Sequence, residues 1–192
     1  TKEIEGAFTV AREELGDEYE RKIGRIPASE LYRMWDTQVL KALGIEDGDL
    51  AQEINEKWFS VSGAVVFPDV NPILTVLGGR GIKKGILSNA YEEEIRQICR
   101  VVGLDEALFD IIVGADTAAR IKPDLETFRY ALKKLGINPE EAIYVGNKIE
   151  KDYIPAEKTG MTPFLIVRSE DIDIPENIRC IRSLLSLKDY LE

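Results

Sequence analysis

Residues 142–152 read Ala-Ile-Tyr-Val-Gly-Asn-Lys-Ile-Glu-Lys-Asp, and a short helical stretch follows them up to Gly160-Met161. The first four are apolar and predict a short buried strand. Gly146 breaks that strand, and the polar loop beyond it carries Asn147 and Asp152. A buried strand that feeds straight into a helix constrains the fold more than any other feature of this chain. In an open α/β sheet, ligands bind outside the carboxyl ends of the strands, so groups just past such a strand face the expected site. Polar strand-to-helix loops are ordinary, so the assignment depends on matching pieces elsewhere.

Those pieces are present. Gly85-Ile86-Leu87-Ser88, Phe109 to Val113 and Pro163 to Val167 are further candidate strands. Between and after them, apolar spacing predicts helices over Asn71–Leu77, Tyr91–Val102, Asp124–Leu135 and Ser183–Leu191. Strands alternating with helices imply an α/β fold with a parallel, doubly wound sheet. The first sixty or so residues differ. They predict a helix from Lys2 to Leu15 stopped by Gly16, a second from Ala28 to Leu43 stopped by Gly44, and a third capped by Asp49. The character changes near Phe67, where Pro68 favours an extended chain. Two domains follow: a helical module over residues 1–64 and an α/β core over 65–192.

At 192 residues the chain can bury one substantial core plus a small module. A net charge of −10 excludes a general nucleic-acid binder, which needs a basic face. No apolar run approaches the roughly 18 residues that cross a bilayer, so no membrane partner is expected. The acidic, amphipathic N-terminal stretch does not read as a signal peptide, so none is expected. Cys99 and Cys180 read as free thiols, which suits a reducing cytoplasm. There is no histidine. This excludes Ser-His-Asp and Cys-His mechanisms and histidine metal sites. Chemistry must run on carboxylates, lysine, hydroxyls and backbone amides.

Three groups of such residues fall after candidate strands. Ser88-Asn89 follows Ile86-Leu87, Lys122-Pro123-Asp124 follows the second strand, and Asn147 and Asp152 follow the Tyr144-Val145 strand. A hydroxyl with an amide can bind a phosphoryl or carboxylate oxygen, and a lysine can neutralise its charge. An oxygen-rich pair can hold Mg²⁺.

In this order and spacing the chain resembles the haloacid dehalogenase-like hydrolase superfamily. Gly85–Asn89 is similar to its second motif, Ile121-Lys122-Pro123-Asp124 to its third, and Gly146-Asn147 with Asp152 to its fourth. The resemblance covers roughly Phe67 to the C-terminus, and the helical first third looks like the cap of these enzymes. It implies a Rossmann-like core with a mobile helical cap, and Mg²⁺-dependent phosphoryl transfer through an aspartyl-phosphate on a small phosphorylated metabolite. Ser88 and Lys122 would be the catalytic residues, Ser88, Asn89 and Lys122 would bind substrate, and Asn147 and Asp152 would serve the metal. Two departures stand out. Asn147 occupies a position where the family usually has Asp, which should weaken Mg²⁺ binding. The family's nucleophilic Asp-x-Asp, carried on a central first strand, has no counterpart ahead of the second motif: the Asp-x-Asp there, Asp47-Gly48-Asp49, reads as a helix–helix turn. These residues by themselves are therefore expected to be inactive. The missing strand would come from an N-terminal segment of about 15–25 residues or from another chain. The alternatives are a metal-independent 2-haloacid dehalogenase and a noncatalytic binding or regulatory protein with the same fold.

Overall fold

The computed structural model describes residues 1–118, 120–169 and 174–191. The chain divides into two compact units, Thr1–Ala64 and Val65–Glu192.

The first unit is helical: α1 (Lys2–Lys22), α2 (Ala28–Ala42) and α3 (Gly48–Val61). Small side chains let the first two helices approach closely. Ala7 and Ala11 of α1 are buried against Val39 of α2, with Phe8, Trp35 and Leu43 around them. The expected stop at Gly16 does not occur, and α1 runs on to Lys22. A glycine inside a helix costs only about 1 kcal/mol. The extra turns place the Tyr19 ring edge-on to Trp35 at 5.1 Å, a tertiary contact that offsets the cost. The cap of α3 is also corrected. Asp47, not Asp49, accepts hydrogen bonds from the Asp49 and Leu50 N–H groups at 3.0 and 2.9 Å. Asp47-Gly48-Asp49, read as a helix–helix turn, instead forms the cap and first turn of α3, after Gly44 at φ +75°.

The second unit runs α4 (Val70–Gly79), β1 (Gly85–Leu87), α5 (Glu92–Val101), β2 (Ile111–Val113), α6 (Leu125–Leu135) and β3 (Ile143–Gly146). A π turn over Ile149–Tyr153 leads into α7 (Ile154–Thr159), followed by β4 (Thr162–Ile166), β5 (Cys180–Ile181) and a 3₁₀ helix, Leu184–Tyr190. All strand pairs are parallel, as the alternation implies. β1 pairs β2 with Ile86 opposite Ile112, β3 pairs β4 with Val145 opposite Phe164, and β4 pairs β5. They form two ladders, β1-β2 and β3-β4-β5, so among the described residues β1 and β3 each pair along one edge only.

Helical elements cover both faces of the three-stranded ladder. Ile73 of α4 and Leu187 of the 3₁₀ helix pack with Phe164, Val145 and Ile181 on one face. Tyr153 packs with Leu165 on the other, where Phe128 of α6 also meets Tyr144 of β3, ring centroids 5.0 Å apart. Local signals set several boundaries. Asp124 caps α6 through the Glu126 N–H, and Gly136 ends it in the left-handed region at φ +64°. The closing segment expected as an amphipathic α-helix is instead 3₁₀, and β5 has only two residues, too short to leave a pattern in the sequence.

Candidate active site

Position 122 is fixed first through its main chain. The Asn89 side chain, just past β1, accepts from the Lys122 N–H at 2.8 Å and donates to the Lys122 carbonyl at 2.9 Å. This reciprocal pair binds the loop after β1 to the loop before α6. Asn89, expected among the substrate-binding residues, spends both ends of its amide on this anchor. Ser88 ties the same loop to β2 by donating its N–H to the Val113 carbonyl at 3.0 Å. Its hydroxyl oxygen accepts from the Ala90 N–H at 3.1 Å, which leaves the O–H free to donate.

The Lys122 side chain runs from this anchor to Asp152. Its Nζ donates to Asp152 Oδ1 at 2.7 Å and to the Tyr144 hydroxyl at 3.1 Å. The Tyr144 O–H donates in turn to Asp152 Oδ1 at 3.1 Å. The Lys122 and Asp152 side chains are 14% and 5% exposed, so water screens this pair little. Burial, and after it the Asp152 charge, drives the Tyr144 phenol well above its ordinary pKa, so it stays a donor.

Asp152 reaches this position because of the backbone on both sides. It lies in the π turn, with its own N–H donated to the Lys148 carbonyl at 2.9 Å. Its Oδ2 accepts from the Asn147 and Lys148 N–H groups at 3.2 and 3.0 Å. The carboxylate packs directly on Gly146, where an added Cβ would lie 2.5 Å from Asp152 Cγ. A side chain at 146 would fill the space that Asp152 occupies.

Ser88, Asn89, Lys122, Asn147 and Asp152 therefore belong to one connected set at the carboxyl ends of β1 and β3. Tyr144 joins them, although its place in an apolar strand gives no hint of a polar role. Strand alternation, which puts residues 144 and 146 on one face, is the signal that could find it. Asp69 belongs to none of the three motifs, yet it is a second buried anchor. Its Oδ2 accepts from Arg168 at 2.6 Å, Leu184 N–H at 2.7 Å and Ser183 at 3.0 Å, while Oδ1 is buried without a partner. The Arg168 guanidinium is the main cause holding its pKa at about 2.

For Mg²⁺ these residues supply part of a site. A carboxylate offers about four lone-pair directions, and those of Asp152 already receive Lys122, Tyr144 and two N–H groups. Asp152 could reach a metal only through water. Of the two, the exposed Asn147 side chain is the one that could ligate directly, and an amide oxygen is a weaker magnet for a hard dication than a carboxylate. Among the described residues no group of three or more Asp, Glu, Cys or His side chains gathers for a metal. Cys99 and Cys180 are free thiols, and no helix among the described residues is long and apolar enough to cross a membrane.

The family profile described as haloacid dehalogenase-like hydrolase matches residues 10–166. A glyceraldehyde 3-phosphate phosphatase of Methanocaldococcus jannaschii is 26% identical over 174 residues, 89% of this chain and 75% of that protein. The phosphoglycolate phosphatase of Rhodospirillum rubrum is 36% identical over 101 residues, 53% of this chain but 41% of that one. Among solved structures, a HAD phosphatase from Thermococcus onnurineus superposes with a TM-score of 0.65 at 25% identity, covering 97% of this chain and 87% of the other. The HAD-hydrolase YfnB from Bacillus subtilis, bound to magnesium, superposes with a TM-score of 0.76 at 20% identity, covering 100% and 83%. At that identity the likeness is one of fold.

Proposed function

Because the chain belongs to the haloacid dehalogenase-like hydrolase family, we propose that it forms most of a phosphatase for a small phosphorylated metabolite. The observation that carries this reading is the Lys122 ammonium, held 2.7 Å from Asp152 beside the Ser88-Asn89 loop. Lys122 neutralises charge on the phosphoryl oxygens, and the Ser88 O–H donates to one of them. Asp152 keeps the lysine in place, and Asn89 anchors its main chain. The names of the relatives, phosphatases of glyceraldehyde 3-phosphate and phosphoglycolate, support a compact phosphorylated substrate. The helical unit over residues 1–64 acts in this reading as the cap that selects it. Mg²⁺, held by Asn147 directly and by Asp152 through water, would supply Lewis-acid stabilisation of phosphoryl charge. The acidic chain suits neither nucleic acid nor membrane partners, and the two free thiols support a cytoplasmic setting.

The nucleophilic carboxylate belongs, in this reading, to a further strand that pairs between β1 and β3. The support is that each of these strands uses a single edge among the described residues, and unpaired strand edges are costly when buried. The test is to express the protein with and without the codons that precede Thr1 in its gene, and to assay a chromogenic phosphate ester with Mg²⁺. The longer form should turn over, and Lys122→Met should lower its kcat/KM by about 100-fold or more. Robust turnover by residues 1–192 alone, or an unaffected Lys122 variant, would overturn the reading. Halide release from a 2-haloacid without metal would replace it with a dehalogenase.

A further inference from the structure

We propose that Tyr144 is a positioning residue that aims the Lys122 ammonium at the substrate's phosphoryl group. The inference rests on the phosphatase reading and deepens it. An ammonium carries three N–H donors and rotates freely about its last bond. One donor goes to Asp152 Oδ1 at 2.7 Å and a second to the Tyr144 oxygen at 3.1 Å. Two fixed acceptors stop the rotation. The direction of the third N–H is then set by tetrahedral geometry, and it is the donor left for a ligand. With Asp152 alone, the ammonium would swing about a single hydrogen bond.

Tyr144 can serve as this acceptor because its own proton is committed. The hydroxyl donates to Asp152 Oδ1 at 3.1 Å, so its lone pairs face Lys122. The three groups close a triangle in which each touches the other two. The ring is fixed as well. It meets Phe128, which is fully buried, edge-on at 5.0 Å, and the Lys122 Nζ lies 5.8 Å from the Tyr144 ring centroid. Tyr144 stands on β3 two residues before Gly146, whose missing side chain admits Asp152. One strand face therefore places both acceptors of the ammonium.

Tyr144→Phe tests this, because it keeps the ring and its contact with Phe128 and removes only the hydroxyl. In the complete, active protein we expect kcat on a chromogenic phosphate ester to fall about tenfold with KM changed less than twofold. A misdirected donor costs most where charge develops in the transition state. Tyr144→Phe should also weaken inorganic phosphate binding, measured by calorimetry, by a few-fold, with the melting temperature within about 3 °C of wild type. The decisive measurement is the double variant. In a Lys122→Met background, Tyr144→Phe should cost nothing further, because there is no ammonium to aim. An equal loss in both backgrounds, or a loss that follows the melting temperature, would mean a merely structural hydroxyl and overturn the inference while leaving the phosphatase reading intact. If the wild-type protein neither binds inorganic phosphate nor cleaves the ester, the phosphatase reading fails and takes this inference with it.

Discussion

Replacing Asp69 by Asn is expected to destabilise the α/β unit by about 1–2 kcal/mol at neutral pH, and by progressively less as the solution is acidified. The carboxylate sits at the start of α4 and accepts three hydrogen bonds on Oδ2: from Arg168, from the Leu184 N–H and from Ser183. It thereby joins α4 to the segments that follow β4 and β5. The Arg168 pair holds the Asp69 pKa at about 2, against an ordinary 3.8. One pKa unit corresponds to about 1.4 kcal/mol, so nearly two units set an upper bound of about 2.5 kcal/mol. The Arg168 side chain is 28% exposed, and solvent screening brings the figure down to about 1–2 kcal/mol. The sign follows from linkage. An acid whose pKa is lowered by folding stabilises the native state above its unfolded value, and that contribution disappears as pH falls from about 4 through about 2. Asn does not titrate, so the gap between wild type and variant should close over that window. Urea unfolding followed by circular dichroism at pH 7, 5, 3 and 2.5 measures it. A gap that stays the same from pH 7 to pH 2.5 would show that Asp69 acts by shape and neutral hydrogen bonding, and would refute the argument.

Two further predictions concern other positions. Asp36 on α2 is half-buried, and burial pushes its carboxyl up to about 6. Ionisation is therefore a cost that is absent below pH 3.8 and complete above 6, so Asp36→Asn should raise stability by about 1–2 kcal/mol at pH 7 and leave it unchanged at pH 3.5, as read by thermal melting. Gly146→Ala would set a methyl 2.8 Å from Asp152 Oδ2. It should destabilise the unit by about 1–3 kcal/mol, measured by urea unfolding, and abolish inorganic phosphate binding because Lys122 loses its placed counter-ion.

Much of the candidate site is legible in the sequence. Ser88 and Asn147 each stand at the break that ends a short apolar run, Lys122 and Asp152 lie in the polar segments beyond such runs, and the residues that make strands, breaks and caps act through neighbours in sequence. Asp124 and Gly136 bound α6, and Gly160 closes α7, for reasons contained in a few residues each. Parallel pairing follows from the alternation of strands and helices. Other features depend on partners far along the chain. α1 passes through Gly16 because Tyr19 finds Trp35. Asn89 serves the main chain of Lys122, a residue 33 positions away. Asp69 reaches Leu184 across 115 positions. Tyr144 reads in sequence as one more apolar strand residue, and only the fold closes Lys122 and Asp152 around its hydroxyl. Sequence alone determined where the chain turns and which side chains stand at the turns, because φ/ψ preferences and periodicity are local. Tertiary structure decided what each polar atom bonds to, because a buried donor or acceptor takes whichever partner the packing brings within about 3 Å.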